Sequence, residues 1–479
     1  MNKLCVALGV AGCGAVAGAE PLNPYDFPSL GSVAAAPVGT VTINSDTMQM
    51  TVPGVGAPIV GTLSTASGGR GVVVFSFQDF QVNSPVVPTV ITGSRSVAIL
   101  ARNAVFFNST VTIVAGAGQA GGANNVSVPG VGGAGGTGVG GGGSGGSGGE
   151  GAYGSVSDGG VPGTPGSGLG RGGGGTAGVN LKGGGGGGGG FGSDGVNNAG
   201  STYGDLFARL EAGSGGGGGG GSRPGNSTNG GTGGSGGGAG GGALEIGAIN
   251  YAFVLADIEC NGGSGAAGIA GFGAGGGGGG SGGAVLVHAN NVQTANIRTL
   301  GGAGGTGGIG GPGGNGGNGG SGGSGRIAIQ RGEVITQGTL LGVATVLTAA
   351  VEADGIDFGD VEVGTARTLS LSVRSVGDSR ATINGIFPAA AAPMARVGAG
   401  VLTGLKGSNA AACRYTFTPT GLGDVQQQIA IQTNAGTKVV TLKGRGIAPT
   451  CPADFNNDGM VDDADFVIFV SEYNALLCE

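Results

Sequence analysis

The sequence predicts a mainly β protein in three parts: a β-solenoid of the parallel β-helix kind with glycine-rich loops, a β-sandwich, and a small calcium loop–helix module. Three observations carry this expectation. Short apolar runs recur at a nearly fixed interval between glycine tracts. Residues 345–448 alternate apolar and polar positions in short stretches. Acids and amides recur at every second position in "DFNNDGMVDDAD" near the C-terminus. Glycine accounts for 125 of the 479 residues, there is no Trp, and there is a single His. Glycine loses much backbone entropy on ordering and brings no side chain to pack. Order must therefore come from the apolar runs or from a glycine-tolerant architecture.

The chain opens "MNKLCVALGVAGCGAVAGAE". Lys3 supplies a positive start, Leu4 to Val10 an apolar core, and Ala17-Gly18-Ala19 a small-x-small cleavage site, so residues 1–19 are expected to be a signal peptide. Val10-Ala11-Gly12-Cys13 offers a second reading, with a lipid on Cys13. No later stretch reaches the ~20 apolar residues of a membrane span. The expected location is secreted or at the cell surface. Four Cys remain after cleavage. Cys451 and Cys478 bracket the acidic tail and are expected to pair, which would stabilise so small a module by about 3 kcal/mol in an oxidising compartment. Cys260 and Cys413 lie in different segments and are read as separate buried thiols. The net charge is −7, and seven acids but no Lys or Arg follow Pro449. The remainder is balanced and has no basic stripe, which argues against a nucleic-acid partner.

Residues 20–114 form an N-terminal β segment and the first solenoid strands, with "GVVVFSFQDFQV" and "SVAILARNAVFFNSTVTIVAG" rich in Val, Ile and Phe. Residues 115–242 are a glycine-rich, low-complexity insertion in which "LFARLEAG" is the one credible helical turn. Residues 243–344 hold solenoid repeats, starting at Ala243, Ala284 and Arg326, about 41 residues apart. A single such unit cannot bury its apolar face, whereas stacked units can. The pattern resembles glycine-rich β-helix proteins exported by bacteria. The loop "GGAGGTGGIGGPGGNGGNGGSGGSG" has period three. An extended helix of three residues per turn would align every third residue on one edge. A bundle of such helices and a flexible linker both satisfy this composition.

Residues 345–448 read as a sandwich. "TLSLSVRSVGD" puts Leu369, Leu371 and Val373 on one face, and "CRYTFTP" does the same with Cys413, Tyr415 and Phe417. The run "IDFGDVEVGTARTLSLSVRSVGD", then "YTFTPTGLG", then "TNAGTKVVTLKGRG" resembles the hydin/abnormal-spindle type of immunoglobulin-like domain, which also occurs in bacterial surface proteins of the choice-of-anchor D group. The resemblance implies a seven-stranded sandwich used as a spacer or contact module, and it carries over no catalytic residue.

Residues 449–479 hold an EF-hand arrangement. Position 1 is Asp454, 3 is Asn456, 5 is Asp458, 6 is Gly459, 7 is Met460, 9 is Asp462 and 12 is Asp465. Ca²⁺ is a hard ion that takes six to eight oxygens at about 2.3–2.6 Å; glycine permits the sharp turn, and position 7 offers its backbone carbonyl. Asp rather than Glu at position 12 is shared with dockerin repeats, which "DFNNDGMVDDADFVIFV" resembles. Phe466, Phe469, Val470, Tyr473 and Leu477 follow at helical spacing as a partner-binding face. Dockerins carry two repeats and this tail has one. The resemblance implies calcium binding and docking to a cohesin-like or cell-surface protein.

His288 is the sole His, so an HExxH site is excluded, and any Ser–His–Asp triad would have to use it. A polysaccharide hydrolase or lyase would need paired carboxylates on one groove, and candidates such as Glu245, Asp257 and Glu259 are few, although alternation could bring Asp257 and Glu259 to one face. Two functions remain on the sequence: a non-enzymatic adhesive or structural surface protein, and a carbohydrate-active enzyme carried into an assembly by its tail.

Overall fold

The computed structural model describes residues 21–479 apart from 66–70, 124–127, 153–159, 179–181, 208, 224–229, 271–272, 310–313, 349, 376–382, 388–391, 398–409, 434–435, 450–452, 457–459 and 477–479. The chain divides into two compact units. The first comprises Met1–His288, Val292–Ile329 and Val334–Val346; the second comprises Ala289–Asn291, Gln330–Glu333 and Leu347–Glu479. The described residues are mainly β, with one α-helix, α1, at Asp463–Leu476.

Two sheets organise the first unit. One runs Ser32–Ala35, Val72–Val82, Ser96–Phe107, Ala243–Ala248, Ala284–Thr294, Arg326–Gln337 and Val343–Thr348. The resolved registers between successive strands, out to Ala284–Thr294, are parallel. The other sheet is built from shorter strands, among them Val41–Asn44, Thr89–Thr92, Val111–Ile113, Ile258–Glu259, Ile297–Arg298 and Leu340–Leu341. Like stacks on like across both. Phe75, Ile99, Ile246 and Val287 face one another in register and are fully buried. Val41, Thr89, Val111, Ile258, Ile297 and Leu340 make a second row. Burying each large aliphatic or aromatic side chain contributes roughly 1.5–3 kcal/mol, and the alternation of strand faces locks the register. Turns are tied by side-chain ladders. Asn103 Nδ2 donates to Asp79 Oδ1 at 2.6 Å and Asn250 Nδ2 to Asn103 Oδ1 at 2.9 Å.

Among the described residues, the glycine tracts between these strands are ordered. They form extended three-residue-per-turn helices whose backbones hydrogen-bond to one another, which decides between the two readings of the period-three pattern. In Gly215–Gly221 the N–H groups rotate through three neighbours. Gly216 and Gly219 donate to Gly238 and Ser235, Gly215 and Gly218 to Ser167 and Thr164, and Gly217 and Gly220 to Gly187 and Gly184, at 2.7–2.9 Å. The same stretch and its flanks accept from three further segments, through the N–H groups of Gly143 and Gly146, of Gly172 and Gly175, and of Gly275 and Gly278. This helix thus has six neighbours, a hexagonal packing in which Gly215–Gly221 have no room for a side chain. A Cβ on Gly218 would lie 2.0 Å from the Ser147 carbonyl oxygen. At the edge the pattern relaxes: Asn315, Asn318 and Ser321 are exposed while Gly316, Gly319 and Gly322 pack inward. The helices ending at Gly242, Gly283 and Gly325 run directly into strands starting at Ala243, Ala284 and Arg326.

"LFARLEAG" contributes one helical turn, with Arg209 N–H donating to Asp205 C=O at 2.9 Å. Leu206 and Leu210 join Phe191, Val72, Val74, Leu100 and Leu286 in a core on the outer face of the first sheet, with Leu22 and Phe27 packed against it.

The second unit contains a sandwich. One sheet runs Val351–Ala353, Arg367–Ser375, Ala410–Phe417 and Met394–Val397; the other runs Ile356–Glu362, Gly436–Ile447, Gly423–Thr433 and Ile383–Phe387. That is one strand more than expected, because Val351–Ala353 pairs antiparallel along the edge of Arg367–Ser375. Phe358, Leu371, Val373, Tyr415, Phe417, Ile429, Ile431 and Leu442 fill the core. Leu371 and Val373, and Cys413, Tyr415 and Phe417, point inward as their alternation requires, and Leu369 is partly buried beside them.

Candidate functional site

The C-terminal loop begins at Asp454 and leads into α1. Asp462 caps the helix: its Oδ1 accepts from Ala464 N–H at 2.8 Å. Asp465, in the first turn, is the one buried side chain among the described residues of α1. It turns back into the loop, where Oδ1 accepts from Asn456 N–H and Oδ2 from Asp462 N–H, each at 3.0 Å. The Asn456 amide, then the Asp462 amide, hold its carboxyl below the usual carboxylate range.

These bonds join positions 3, 9 and 12 of the loop, so that Asp465 is drawn in toward its backbone. By their place in the loop, Asp454, Asn456, Asp462 and the Met460 carbonyl offer further oxygen donors, the kind a hard cation takes. The residues present therefore fit Ca²⁺ by donor chemistry. Among the described residues no three carboxylates, thiols or imidazoles gather closely enough to hold a metal. Asp458 and Gly459 lie outside the described residues, as do Cys451, Cys478 and Leu477.

Beyond the loop, Phe469 stands between Phe455 and Tyr473, with ring centroids 5.7 and 6.1 Å away. Phe466, Phe469 and Tyr473 are exposed and Val470 is half-buried.

Other titratable groups are already engaged. His288 Nε2 lies 2.9 Å from Glu245 Oε1, and both residues are buried. The same oxygen accepts from Leu22 N–H at 2.6 Å. Gly247, in register with His288, makes room for the ring, since a Cβ there would fall 2.0 Å from Nε2. Nothing in the sequence beyond the isolated His pointed to this pair. Asp257 and Glu259 flank Arg298, whose Nη2 is 3.3 Å from Asp257 Oδ2 and whose Nε is 3.9 Å from Glu259 Oε1. Asn296 Nδ2 also donates to Asp257 at 3.0 Å. The three carboxylates raised as sugar-cleaving candidates thus fall in two separate networks. Cys260 and Cys413 are buried free thiols, and burial pushes both upward from the ordinary thiol range.

The family described as HYDIN/CFA65/VesB-like, Ig-like domain matches residues 349–446. The sandwich is an Ig-like domain. None of the curated proteins matches the chain. Solved structures similar to it include a protein of unknown function from Porphyromonas gingivalis W83, 16% identical over 20% of this chain and 46% of that one, TM-score 0.18. The Vibrio cholerae VesB protease is 14% identical over 20% of this chain and 31% of its own, TM-score 0.18. A PapD-like domain of human CEP192 is 17% identical over 21% of this chain and 87% of its own, TM-score 0.17. The chain thus spans under half of the first two. No helix among the described residues is long and apolar enough to cross a membrane.

Proposed function

We propose that the chain is an exported cell-surface or extracellular structural and adhesion protein, with a calcium-binding, dockerin-like C-terminal module for docking or sorting. In this reading the strand-and-glycine unit is a β-solenoid that supplies reach and surface, and the Ig-like domain is a spacer. The glycine bundle is the observation that carries it. A lattice held by backbone hydrogen bonds has little capacity for chemistry in its interior, because its central helices carry only glycine and small buried side chains such as Ser214, Ser235, Ala239 and Ser281. It is rigid, and it directs the side chains of its outer helices to solvent at regular intervals.

Calcium would be held by Asp454, Asn456, Asp458, Asp462, Asp465 and the Met460 carbonyl. The ion would supply the positive charge that lets five acids share one loop. The test combines two measurements on the full chain. Antibody labelling of intact source cells should detect it without permeabilisation, and calorimetry should show one calcium ion bound, lost in Asp465→Ala. Labelling only after lysis would overturn the export, and release of soluble sugars from polysaccharide by the purified chain would overturn the structural role.

A further inference from the structure

A cavity of about 180 Å³ lies where strand starts of the first unit meet the glycine helices. Val72 and Leu210, both buried, form its apolar side, and Leu169, 69% exposed, stands at the rim. The segment "LFARLEAG" supplies its polar side, through Arg209 and Glu211. The Tyr203 hydroxyl, also in the lining, is already engaged: it donates to the Ala212 carbonyl at 2.6 Å and lies 2.8 Å from Ser214 Oγ.

Glu211 selects the ligand. Its side chain is 12% exposed, and Arg209 Nη2 donates to its Oε1. Its Oε2 has no hydrogen-bond partner among the described residues. A Cβ on Gly204 would lie 2.6 Å from Oε2, so the glycine makes room for that oxygen. A carboxylate oxygen withdrawn this far from water is costly until a donor reaches it. Arg209, 40% exposed, has further N–H groups without a protein partner among the described residues. The cavity thus sets a free acceptor beside free donors, against an apolar wall. The two charges of the lining cancel, so neither an anion nor a cation is favoured. A neutral ring with adjacent hydroxyl groups matches each feature. One hydroxyl donates to Glu211 Oε2, its neighbour accepts from Arg209, and the C–H face packs on Val72 and Leu210. Sites for drug-sized molecules run to roughly 300–1,000 Å³, and this smaller cavity restricts the ligand to about one ring.

We propose that this cavity binds a single neutral sugar ring, the exposed end of a glycan, through Glu211 and Arg209. It binds without cleaving, because Glu211 is the one carboxylate among the described residues of its lining, and glycoside hydrolysis takes two. The site deepens the adhesion reading, on which it rests for its biological use, by giving the first unit a ligand class.

The experiment is saturation-transfer NMR of the full chain with free glucose, galactose, mannose and N-acetylglucosamine, each at millimolar concentration, the affinity range open to a ligand of about a dozen heavy atoms. At least one sugar should receive saturation. Glu211→Gln should weaken its binding by about tenfold or more, because a hydrogen bond to a charged group is lost. Leu169→Asp, an exposed rim change that leaves the ion pair in place, should weaken it too; should Glu211→Gln fail to fold, Leu169→Asp decides alone. Saturation on none of the four sugars, or binding unchanged in the folded variants, overturns the site. Displacement of the sugar by equimolar sulfate overturns the neutral ligand. A chain labelled on intact cells that binds none of the sugars keeps the surface role and loses this ligand. A chain that binds sugar but is labelled only after lysis keeps the site and overturns the export.

Discussion

Replacing Gly218 by alanine tests the hexagonal packing directly. The new Cβ would stand 2.0 Å from the Ser147 oxygen and 2.3 Å from its carbonyl carbon, so residues 141–151 must move by about 1.5 Å to reach ordinary contact. That segment is held to the helix through Gly143, Gly146 and Gly149, which donate to Gly213, Gly216 and Gly219 at 2.8–2.9 Å. Losing one or two of these buried bonds costs about 1 kcal/mol each, and the overpacking adds about 1–3 kcal/mol. The lower entropy of the unfolded alanine chain offsets about 0.4–1 kcal/mol. The net cost is about 3 kcal/mol, which lowers Tm by roughly 6–9 °C at 2–3 °C per kcal/mol. Scanning calorimetry of the full chain reads it, with Ser321→Ala as control, because Ser321 is an exposed edge residue. The control should move by no more than about 1 °C. A Gly218→Ala protein that melts with the control refutes the six-neighbour packing.

Gly247→Ala should displace the His288 ring, separate it from Glu245 and destabilise the first unit by about 2–3 kcal/mol; an unchanged denaturant midpoint would contradict the 2.0 Å clash. Burial pushes the Tyr203 hydroxyl up to about 12, against smaller opposing effects from its Ser214 bond and from Arg326 and Arg209. Because folding favours the protonated form, its contribution to stability is complete below the unfolded value of about 10 and is lost as pH rises toward 12. Burial raises Tyr415 as well, so absorbance at the tyrosinate band should show a late-titrating component about two units above the exposed Tyr that shrinks in Tyr203→Phe. Cys260 and Cys413 should resist thiol reagents in the native protein and react on unfolding, since burial suppresses the thiolate in both.

The strand starts at Ala243, Ala284 and Arg326 were legible because each apolar run stacks on an equivalent run in the next turn, and a repeat in sequence becomes a register in space. The sandwich faces were legible from alternation alone, as Leu371, Val373, Tyr415 and Phe417 show. The loop spacing led to Asp465, yet its capture by the Asn456 and Asp462 amides depends on the turn, which side-chain spacing does not encode. Glu245 and His288 were invisible as a pair. They meet diagonally across two strands 43 residues apart, and only the gap at Gly247 lets the ring lean over.

Order in the glycine tracts could not be read from period three, because a linker and a lattice share it. A finer feature of the same tracts does carry the lattice. The stretch Gly215–Gly221, enclosed by six neighbours, is unbroken glycine, and the equally enclosed residues 231–242 and 275–283 admit only small side chains such as Ser235, Ala239 and Ser281. A helix with one open edge admits one side chain per turn, which is the G-G-N and G-G-S rhythm from Gly316 to Gly325. A helix at a corner admits two. In "GVPGTPG", Gly160, Gly163 and Gly166 are buried while Val161, Pro162, Thr164 and Pro165 are exposed. Proline is tolerated there for two reasons: its fixed φ suits this helix, and the donor it lacks would face water, while Val161 and Thr164 still donate to Glu150 and Ser147. Exposed non-glycine residues per three therefore report the open sides, while enclosed positions hold glycine or a small residue. A glycine-rich sequence that follows this rule tract by tract specifies where each helix sits, which a linker has no reason to do.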